Sequence, residues 1–233
     1  MRIAIISDIH SNLEALKSAF EAIDAQRIDD IVCLGDTVGY GSDPNECLSL
    51  VRSRCSIILQ GNHDAAAVDL SVANQFTLNA QLSAIWTFGT LLPENKDFLR
   101  NLPLMKPRGD ILFSHASPFE PEEWNYVISE YDTREAFQAF TEKICFIGHS
   151  HIPVIFSESG KASTISRSGR FIVNVGSIGQ PRDANPNLSF GIFDSESWVY
   201  QNVRVEYDIE AAAGKIRKAG LPRALAERLY QGM

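Results

Sequence analysis

Histidine and cysteine are both scarce in this sequence of 233 residues, with five copies of the first and four of the second. The cysteines form no C-x-x-C pair and lie mostly in apolar surroundings, so we expect free thiols in a reducing compartment. The first ten residues, MRIAIISDIH, contain no small-residue cleavage site of the secretory type. These features together predict a cytoplasmic protein.

Long apolar runs and basic runs are absent as well. No hydrophobic stretch approaches the ~18 residues that a membrane span requires. The 21 Lys and Arg residues are outnumbered by 29 Asp and Glu residues, which gives a net charge of −8 and argues against bulk nucleic-acid binding. What remains is an ordinary globular composition without linker or repeat, so we expect a single domain over residues 1–233.

Strand and helix patterns alternate along the first part of the chain. Helical stretches separate three short apolar runs, and this alternation predicts right-handed crossovers in a largely parallel sheet. The first helix is predicted to open with a capping box formed by Ser11 and Glu14. After residue 154, short runs between Gly, Ser and Asn turns predict a second, antiparallel sheet. The three apolar runs are residues 2–7, 30–34 and 55–59.

Residues that bind metals follow the predicted strands directly. Because the carboxyl ends of parallel strands line one edge of a sheet, these side chains are expected to converge on a single crevice. All five histidines of the chain belong to these groups, whereas an isolated histidine after a strand is more often structural. The groups are Asp8-x-His10, Gly35-Asp36, Gly61-Asn62-His63-Asp64, Ser114-His115 and Gly148-His149-x-His151.

The ligand types in these groups indicate a metal. Aspartate, asparagine and imidazole form a nitrogen and oxygen set without thiolate, which suits two divalent first-row ions such as Mn²⁺, Fe²⁺ or Zn²⁺. Two ions held about 3.5–4 Å apart by a bridging carboxylate clamp the attacking and leaving oxygens of a displacement at phosphorus. Two such ions outweigh the charges of Asp8 and Asp36, so the acidic chain would carry a locally positive site.

Taken in this order, the motifs resemble those of the calcineurin-like metallophosphoesterase superfamily, in particular its small bacterial and archaeal phosphodiesterase-like branch. The motifs run from residue 8 to residue 151, and the strand-rich remainder is similar to the second sheet of that family. The resemblance implies an α/β fold, a four-layer α/β/β/α sandwich of two mixed sheets, with a dinuclear centre at the strand ends. Mn²⁺ is the expected metal, with Fe²⁺, Zn²⁺, Ni²⁺ and Mg²⁺ as alternatives.

The resemblance also implies a role for each residue. His63 would protonate the leaving oxygen, with Asp64 beside it to orient and charge the ring. A hydroxide that bridges the ions would be the nucleophile. The resemblance places three ligands on the first metal, three on the second and one bridging carboxylate between them: Asp8, His10 and His151; Asn62, His115 and His149; and Asp36.

Several of these polar residues have a structural alternative. Asp64 is as well suited to cap the following helix as to assist His63. Asn12 is a candidate phosphate donor, although capping of the first helix is the stronger expectation. Arg182 follows a Gly-rich turn over residues 174–181 that resembles one in small phosphodiesterases of the family, and it is predicted to contact phosphate or else to lie in solvent or in an ion pair.

The predicted function is hydrolysis of a small phosphoester by a metal-dependent phosphoric ester hydrolase, with a phosphodiester favoured. Protein phosphatases of the family carry an arginine shortly after the Gly-Asp motif, and residues 37–41 contain none. The alternatives are a phosphomonoesterase and a nucleotide or dinucleotide polyphosphate hydrolase with the same site. A non-catalytic scaffold is disfavoured because every ligand position is filled. The sequence leaves a homo-oligomer open.

Overall fold

Two β-sheets stack face to face between helices in the computed structural model, which describes residues 1–233. The strands are β1 (Arg2–Ile6), β2 (Asp30–Cys33), β3 (Ile57–Ile58), β4 (Met105–Arg108), β5 (Ile111–Ser114), β6 (Ile144–Ile147), β7 (Val154–Ser157), β8 (Gly160–Ala162), β9 (Phe171–Asn174), β10 (Leu188–Asp194) and β11 (Val199–Val205). The helices are α1 (Leu13–Asp24), α2 (Pro44–Arg54), α3 (Asn62–Ala66), α4 (Leu78–Thr90), α5 (Pro93–Arg100), α6 (Glu130–Gln138), α7 (Ile209–Lys218) and α8 (Arg223–Gln231). No helix combines the length and the hydrophobicity needed to cross a membrane.

The alternation of side chains along β1 shows how the layers are built. Ile3 and Ile5 point into the core between the two sheets, while Ala4 and Ile6 belong to the core beneath α1. On the far side of the second sheet, Phe137 of α6 packs in a third apolar cluster. Helices therefore cover the outer face of each sheet, and the predicted four-layer α/β/β/α sandwich is confirmed.

The first sheet has the strand order β11-β10-β1-β2-β3, and the second has the order β4-β5-β6-β9-β7-β8. The strands β1, β2 and β3 are parallel, as are β5, β6 and β9. The predicted ligands follow the carboxyl ends of these parallel strands. The fold therefore supplies the edge at which those residues meet.

The prediction of a separate antiparallel sheet after residue 154 is wrong in part. β7, β8 and β9 extend the second sheet, and β9 pairs with β6 in parallel. β10 and β11 instead complete the first sheet, with β10 antiparallel to β1. Local patterns mark where strands occur, but the choice of partner depends on packing between segments that are distant in sequence.

The start of α1 also differs from the prediction. Asn12, not Ser11, is the N-cap, since its Oδ1 accepts the backbone N–H of Ala15 at 3.1 Å. Ser11 has a φ of 54° and its buried hydroxyl has no partner. Glu14 turns outward from the cap, and its Oε1 lies 2.5 Å from Nζ of Lys215. The capping box is absent because the loop before α1 adopts a left-handed backbone.

Candidate metal centre

The predicted ligands meet at one edge of the two sheets and are almost fully buried. Loops that follow β1, β2, β5 and β6 carry six of them, and the seventh, Asn62, is the first residue of α3 after β3. None is more than 8% exposed. The seven are Asp8, His10, Asp36, Asn62, His115, His149 and His151.

Three groups of three residues bring their ligand atoms within 4.8 Å of one another, and two of them consist of expected ligands only. One group is Asp8, His10 and His151, and the other is Asp36, His115 and His149. Oδ2 of Asp36 lies 3.6 Å from Nε2 of His10 and 3.4 Å from Nε2 of His115. This carboxylate therefore lies between the two groups.

The hydrogen bonds of His10 and His151 show whether a cation fits the first group. Nδ1 of His10 lies 3.1 Å from the carbonyl of Val38, and Nδ1 of His151 lies 2.5 Å from that of Gln180. A carbonyl only accepts, so both rings carry their proton on Nδ1. Burial lowers the pKa of both rings, most strongly that of His10, which keeps them neutral. Their Nε2 atoms, 3.1 Å apart, therefore both present lone pairs.

A carboxylate completes this first group. Oδ1 of Asp8 lies 3.3 Å from Nε2 of His151 and 3.9 Å from Nε2 of His10. Three acceptors that converge in a buried space, with no proton between the two imidazoles, are the arrangement that a divalent cation satisfies. The residues present therefore fit the metal that the motifs imply.

The second group holds its ligands differently. Nε2 of His115 lies 3.3 Å from Oδ1 of Asn62, which brings the amide oxygen of Asn62 to this group. The ring of Tyr126 stacks on His149 with centroids 4.1 Å apart, and the backbone N–H of His149 donates to Oδ2 of Asp8 at 3.0 Å. Burial lowers the pKa of His149 to about 3, so this imidazole is a neutral donor of a lone pair.

The backbone around the ligands is unusually rich in left-handed conformations. Two loops run side by side here, since the N–H groups of Asp8, His10 and Ser11 donate to carbonyls of residues 35, 36 and 37. Such conformations are unfavourable for residues other than glycine and concentrate at functional sites. Seven of the eleven non-glycine residues with positive φ lie in this region: Asp8, His10, Ser11, Asp36, Tyr40, His149 and His151.

Glycine is required at two positions behind the ligands. A Cβ atom at Gly61 would collide with the carboxylate of Asp36, and one at Gly148 would collide with that of Asp8. The two glycines of the motifs therefore let backbone approach the ligand carboxylates closely.

His63 lies beside both groups, with its ring between two aromatic side chains. The ring centroid of Tyr40 is 4.3 Å away and that of Phe76 is 4.7 Å away. Nδ1 of His63 is buried without a hydrogen-bond partner, and burial lowers the pKa of the ring to about 4. His63 also forms a third potential metal group with His10 and Asp36. The geometry thus allows His63 either a ligand role or a role beside the metals.

Asp64 makes no hydrogen bond to the ring of His63, which differs from the expected orienting role. Its carboxylate accepts hydrogen bonds from the N–H groups of Gly61 and Val38, each at 3.1 Å, and thereby caps the start of α3. Burial raises the pKa of Asp64 to about 7. Adjacent residues on a helix point in different directions, so Asp64 takes the capping alternative.

The two remaining candidates lie in different settings. Asn12 uses both ends of its amide, because it caps α1 and also donates to the carbonyl of Gly179 at 2.9 Å. Arg182 lines the cleft, where its Nη2 donates to Oε1 of Gln180 at 3.0 Å and lies 3.4 Å from the hydroxyl of Tyr40. The structure therefore favours the capping alternative for Asn12 and brings Arg182 to the site.

The sequence places Tyr40, Tyr126 and Gln180 in segments expected to form the rim of the site (residues 37–43, 119–131 and 180–187), but it gives none of them an individual role. The ring of Tyr40 packs against those of His10 and His63. Gln180 accepts a hydrogen bond from Arg182, and Tyr126 stacks on His149. Tyr40 lies between two glycines shortly after Asp36, and that proximity is a usable signal. The sequence does not indicate what Gln180 or Tyr126 contacts, because each reaches the site through a long loop.

A cleft of about 610 Å³ opens over the centre, a size typical of small-molecule sites. Asp36, Asn62 and the histidines at positions 63, 149 and 151 line its floor. The rim is mixed in character. It includes Phe76, Trp124, Tyr126, Arg182, Glu122 and Glu123.

Comparison with known proteins identifies relatives of the whole chain. Residues 1–197 match the model of the calcineurin-like phosphoesterase superfamily domain. An uncharacterized protein of Methanocaldococcus jannaschii is 40% identical over 240 residues, which cover 99% of this chain and 98% of that protein. The crystal structure of a metallophosphoesterase from Sphaerobacter thermophilus has a TM-score of 0.90 at 38% identity and covers 100% of this chain and 99% of its own. A hypothetical protein of Pyrococcus horikoshii shares the fold at 20% identity, with a TM-score of 0.83 and coverage of 100% and 98%.

Proposed function

This chain belongs to the calcineurin-like phosphoesterase superfamily and is a metal-dependent phosphoester hydrolase. We propose that it acts on small phosphodiesters in preference to monoesters. The observation that carries the proposal is the pair of buried ligand groups on either side of Asp36. Such a pair suits two ions that share one carboxylate.

Two divalent ions, with Mn²⁺ as the proposed species, would be held by the seven residues of the centre. Asp8, His10 and His151 would hold one ion, and Asn62, His115 and His149 would hold the other, with Asp36 shared. When bound, such ions lower the pKa of water and stabilise negative charge on phosphate oxygens. The protein's own contribution is to fix the ligand rings, as the carbonyls of Val38 and Gln180 do for His10 and His151.

His63 is the proposed proton donor to the leaving oxygen. Its ring faces the cleft, and the stacking rings of Tyr40 and Phe76 limit its rotation. An anionic phosphate beside the ring favours its protonated form, which opposes the effect of burial. Protonation of the leaving oxygen matters most for alcohols that depart poorly as anions.

A phosphodiester is favoured for two reasons. No arginine lies among residues 37–41 to clamp the oxygens of a monoester, and the cleft of about 610 Å³ is larger than a single phosphate group needs. The partner is thus a small phosphorylated molecule.

The organisation and location of the chain are also part of the proposal. α7 and α8, which follow residue 197, pack with α4 around one apolar cluster, and this supports one domain over residues 1–233. All four cysteines are free thiols, which supports a cytoplasmic location.

The experiment compares bis-(4-nitrophenyl) phosphate with 4-nitrophenyl phosphate, using protein loaded with Mn²⁺. We expect a higher kcat/KM for the diester. A higher value for the monoester would reverse the proposed preference, and turnover of neither ester by protein with two bound metals per chain would contradict the proposed substrate class.

A further inference from the structure

We propose that Arg182 and Arg228 form a second anion subsite at the edge of the cleft, which binds a phosphate group of the substrate other than the one that reacts. The inference deepens the proposed function and rests on it, because it assigns the substrate to phosphoesters that carry a second phosphate. Arg182 lies in the loop between β9 and β10, and Arg228 lies on α8.

One neutral side chain holds the two guanidinium groups together. Oε1 of Gln180 accepts from Nη2 of Arg182 at 3.0 Å and from Nη1 of Arg228 at 3.1 Å. Both groups also lie over the ring of Tyr40, with Cζ 5.7 Å from the ring centroid for Arg182 and 5.9 Å for Arg228. Two donors fixed side by side form a fork that suits phosphate oxygens.

No carboxylate neutralises this pair. Seven other arginines of the chain form salt bridges with Asp or Glu, but neither Arg182 nor Arg228 has a carboxylate oxygen within 4.0 Å. Both side chains are half-buried, and Nε of Arg182 has no hydrogen-bond partner. Burial, followed by the charge of Arg182, lowers the pKa of Arg228. An anion would relieve the repulsion between the two cations.

The pair lies next to the metal groups but supplies none of their ligands. Tyr40, whose ring lies under both guanidinium groups, has its ring centroid 4.7 Å from that of His10 and 4.3 Å from that of His63. Arg182 lines the same cleft as the ligands. The arginines are therefore placed for a group that is linked to the reacting phosphorus and lies beside Tyr40.

The cleft also carries acidic side chains. Glu122 and Glu123 line it, and both are exposed. They repel a second anion, so a doubly phosphorylated substrate is directed with its extra phosphate toward the arginines. Arg228 also lies beyond residues 1–197, the part that matches the family domain. The C-terminal helix therefore adds a cation to the site.

The test uses two esters that share one reacting bond. Thymidine 5′-(4-nitrophenyl phosphate) has a free 3′-hydroxyl, and its 3′-phosphorylated analogue adds the second phosphate. We expect the Mn²⁺-loaded protein to prefer the analogue. Arg228→Gln is expected to lower the ratio of the two kcat/KM values about tenfold, mainly through KM, as loss of a charge-assisted hydrogen bond predicts. Arg228→Lys is expected to restore part of the preference.

Arg223→Gln is the matched control, because Arg223 lies on the same helix but is exposed and paired with Glu227. This variant is expected to keep the wild-type ratio. Thermal unfolding of each variant checks that α8 stays folded. An unchanged ratio in both Arg182→Gln and Arg228→Gln would overturn the subsite.

Calorimetric titration separates the subsite from the proposed function, since it needs no turnover. The Mn²⁺-loaded protein is titrated with thymidine 3′,5′-bisphosphate and with thymidine 5′-monophosphate. Tighter binding of the bisphosphate that is lost in Arg228→Gln supports the subsite even if neither ester is hydrolysed. Equal Kd values for the two nucleotides in wild type would overturn the subsite even if both esters are hydrolysed.

Discussion

His63 is the residue on which the proposed chemistry depends most directly, and the geometry gives it two competing roles. Its ligand atoms fall within 4.8 Å of those of His10 and Asp36, so a metal ligand is one role and a proton donor is the other. A ligand is needed for every substrate. A proton donor is needed only when the leaving group departs poorly.

His63→Gln is expected to keep both metals and to lose about 10²–10⁴-fold in kcat on alkyl phosphodiesters, because the leaving alkoxide is no longer protonated. The loss with 4-nitrophenyl esters is expected to be much smaller, since nitrophenolate leaves without a proton. Metal content by elemental analysis and rates across a series of leaving groups check both points. Loss of one metal from the variant would assign His63 as a ligand instead.

For individual residues, the sequence predicts which ones come together at the centre better than it predicts the hydrogen bonds between them. Five motifs after five strands meet because parallel strands end at one edge, so the grouping of Asp8, His10 and His151 follows from topology. The direction of Asp64 does not, because it depends on which of two nearby N–H groups its carboxylate reaches. Asn12 takes the N-cap position expected for Ser11 for the same reason, which is local backbone geometry.

Among the elements, α7 is tied to the first half of the chain by one lysine. Nζ of Lys215 lies 2.5 Å from Oε1 of Glu14, in the first turn of α1, and 3.2 Å from both carboxylate oxygens of Asp43, which precedes α2. Both carboxylates are mostly buried, whereas the lysine is 37% exposed. The contact therefore joins the last turn of α7 to the starts of α1 and α2.

Lys215→Met is expected to lower the free energy of unfolding by about 0.5–1 kcal/mol, since the side chain is partly exposed and solvent screens the pair. Two carboxylates are then left facing each other without a cation. Urea titration followed by circular dichroism measures the change. Lys218→Met, at an exposed position of the same helix, is the control and is expected to change stability by less. Equal effects of the two substitutions would show that the network contributes nothing.

Elements differ in how well the sequence predicts them. Gly220 and Pro222 predict a break in the C-terminal helical segment, because glycine and proline end helices through backbone chemistry, and α7 and α8 are separated there. β4 was missed, since Pro107 interrupts its pattern, and the structure tolerates the proline because β4 lies at the edge of its sheet. The apolar spacing over residues 72–88 predicts a helix from Val72, but α4 begins only at Leu78, after a short 3₁₀ turn over Val72–Gln75.

On the scale of the whole molecule, the centre links the two sheets. Asp8 and His10 follow a strand of the first sheet, whereas His151 follows a strand of the second. The same division holds for the other group, in which Asp36 belongs to the first sheet and His115 to the second. A bound cation would therefore stabilise the contact between the sheets as well as the site itself.

Removal of metal with a chelator is expected to lower the thermal unfolding midpoint, and addition of Mn²⁺ is expected to restore it. A site filled at 100 times its Kd stabilises the fold by about 2.7 kcal/mol, because the ion binds the native state only. Scanning calorimetry with and without Mn²⁺ measures the shift. Asp36→Asn, which keeps an oxygen for the N–H of His63, is the control and is expected to respond much less. An identical response of the wild type and the variant would exclude Asp36 as the carboxylate shared by the two metal ions.

The place of β1 in the first sheet has a further consequence for the order of events during synthesis. β1 is paired on one side with β2, but its other neighbour is β10, which the ribosome makes about 180 residues later. Until residues 188–194 emerge, the strand that leads into Asp8 and His10 has one edge without a partner. The nascent chain must therefore carry an open sheet edge through most of its translation, beside the residues that are to become metal ligands.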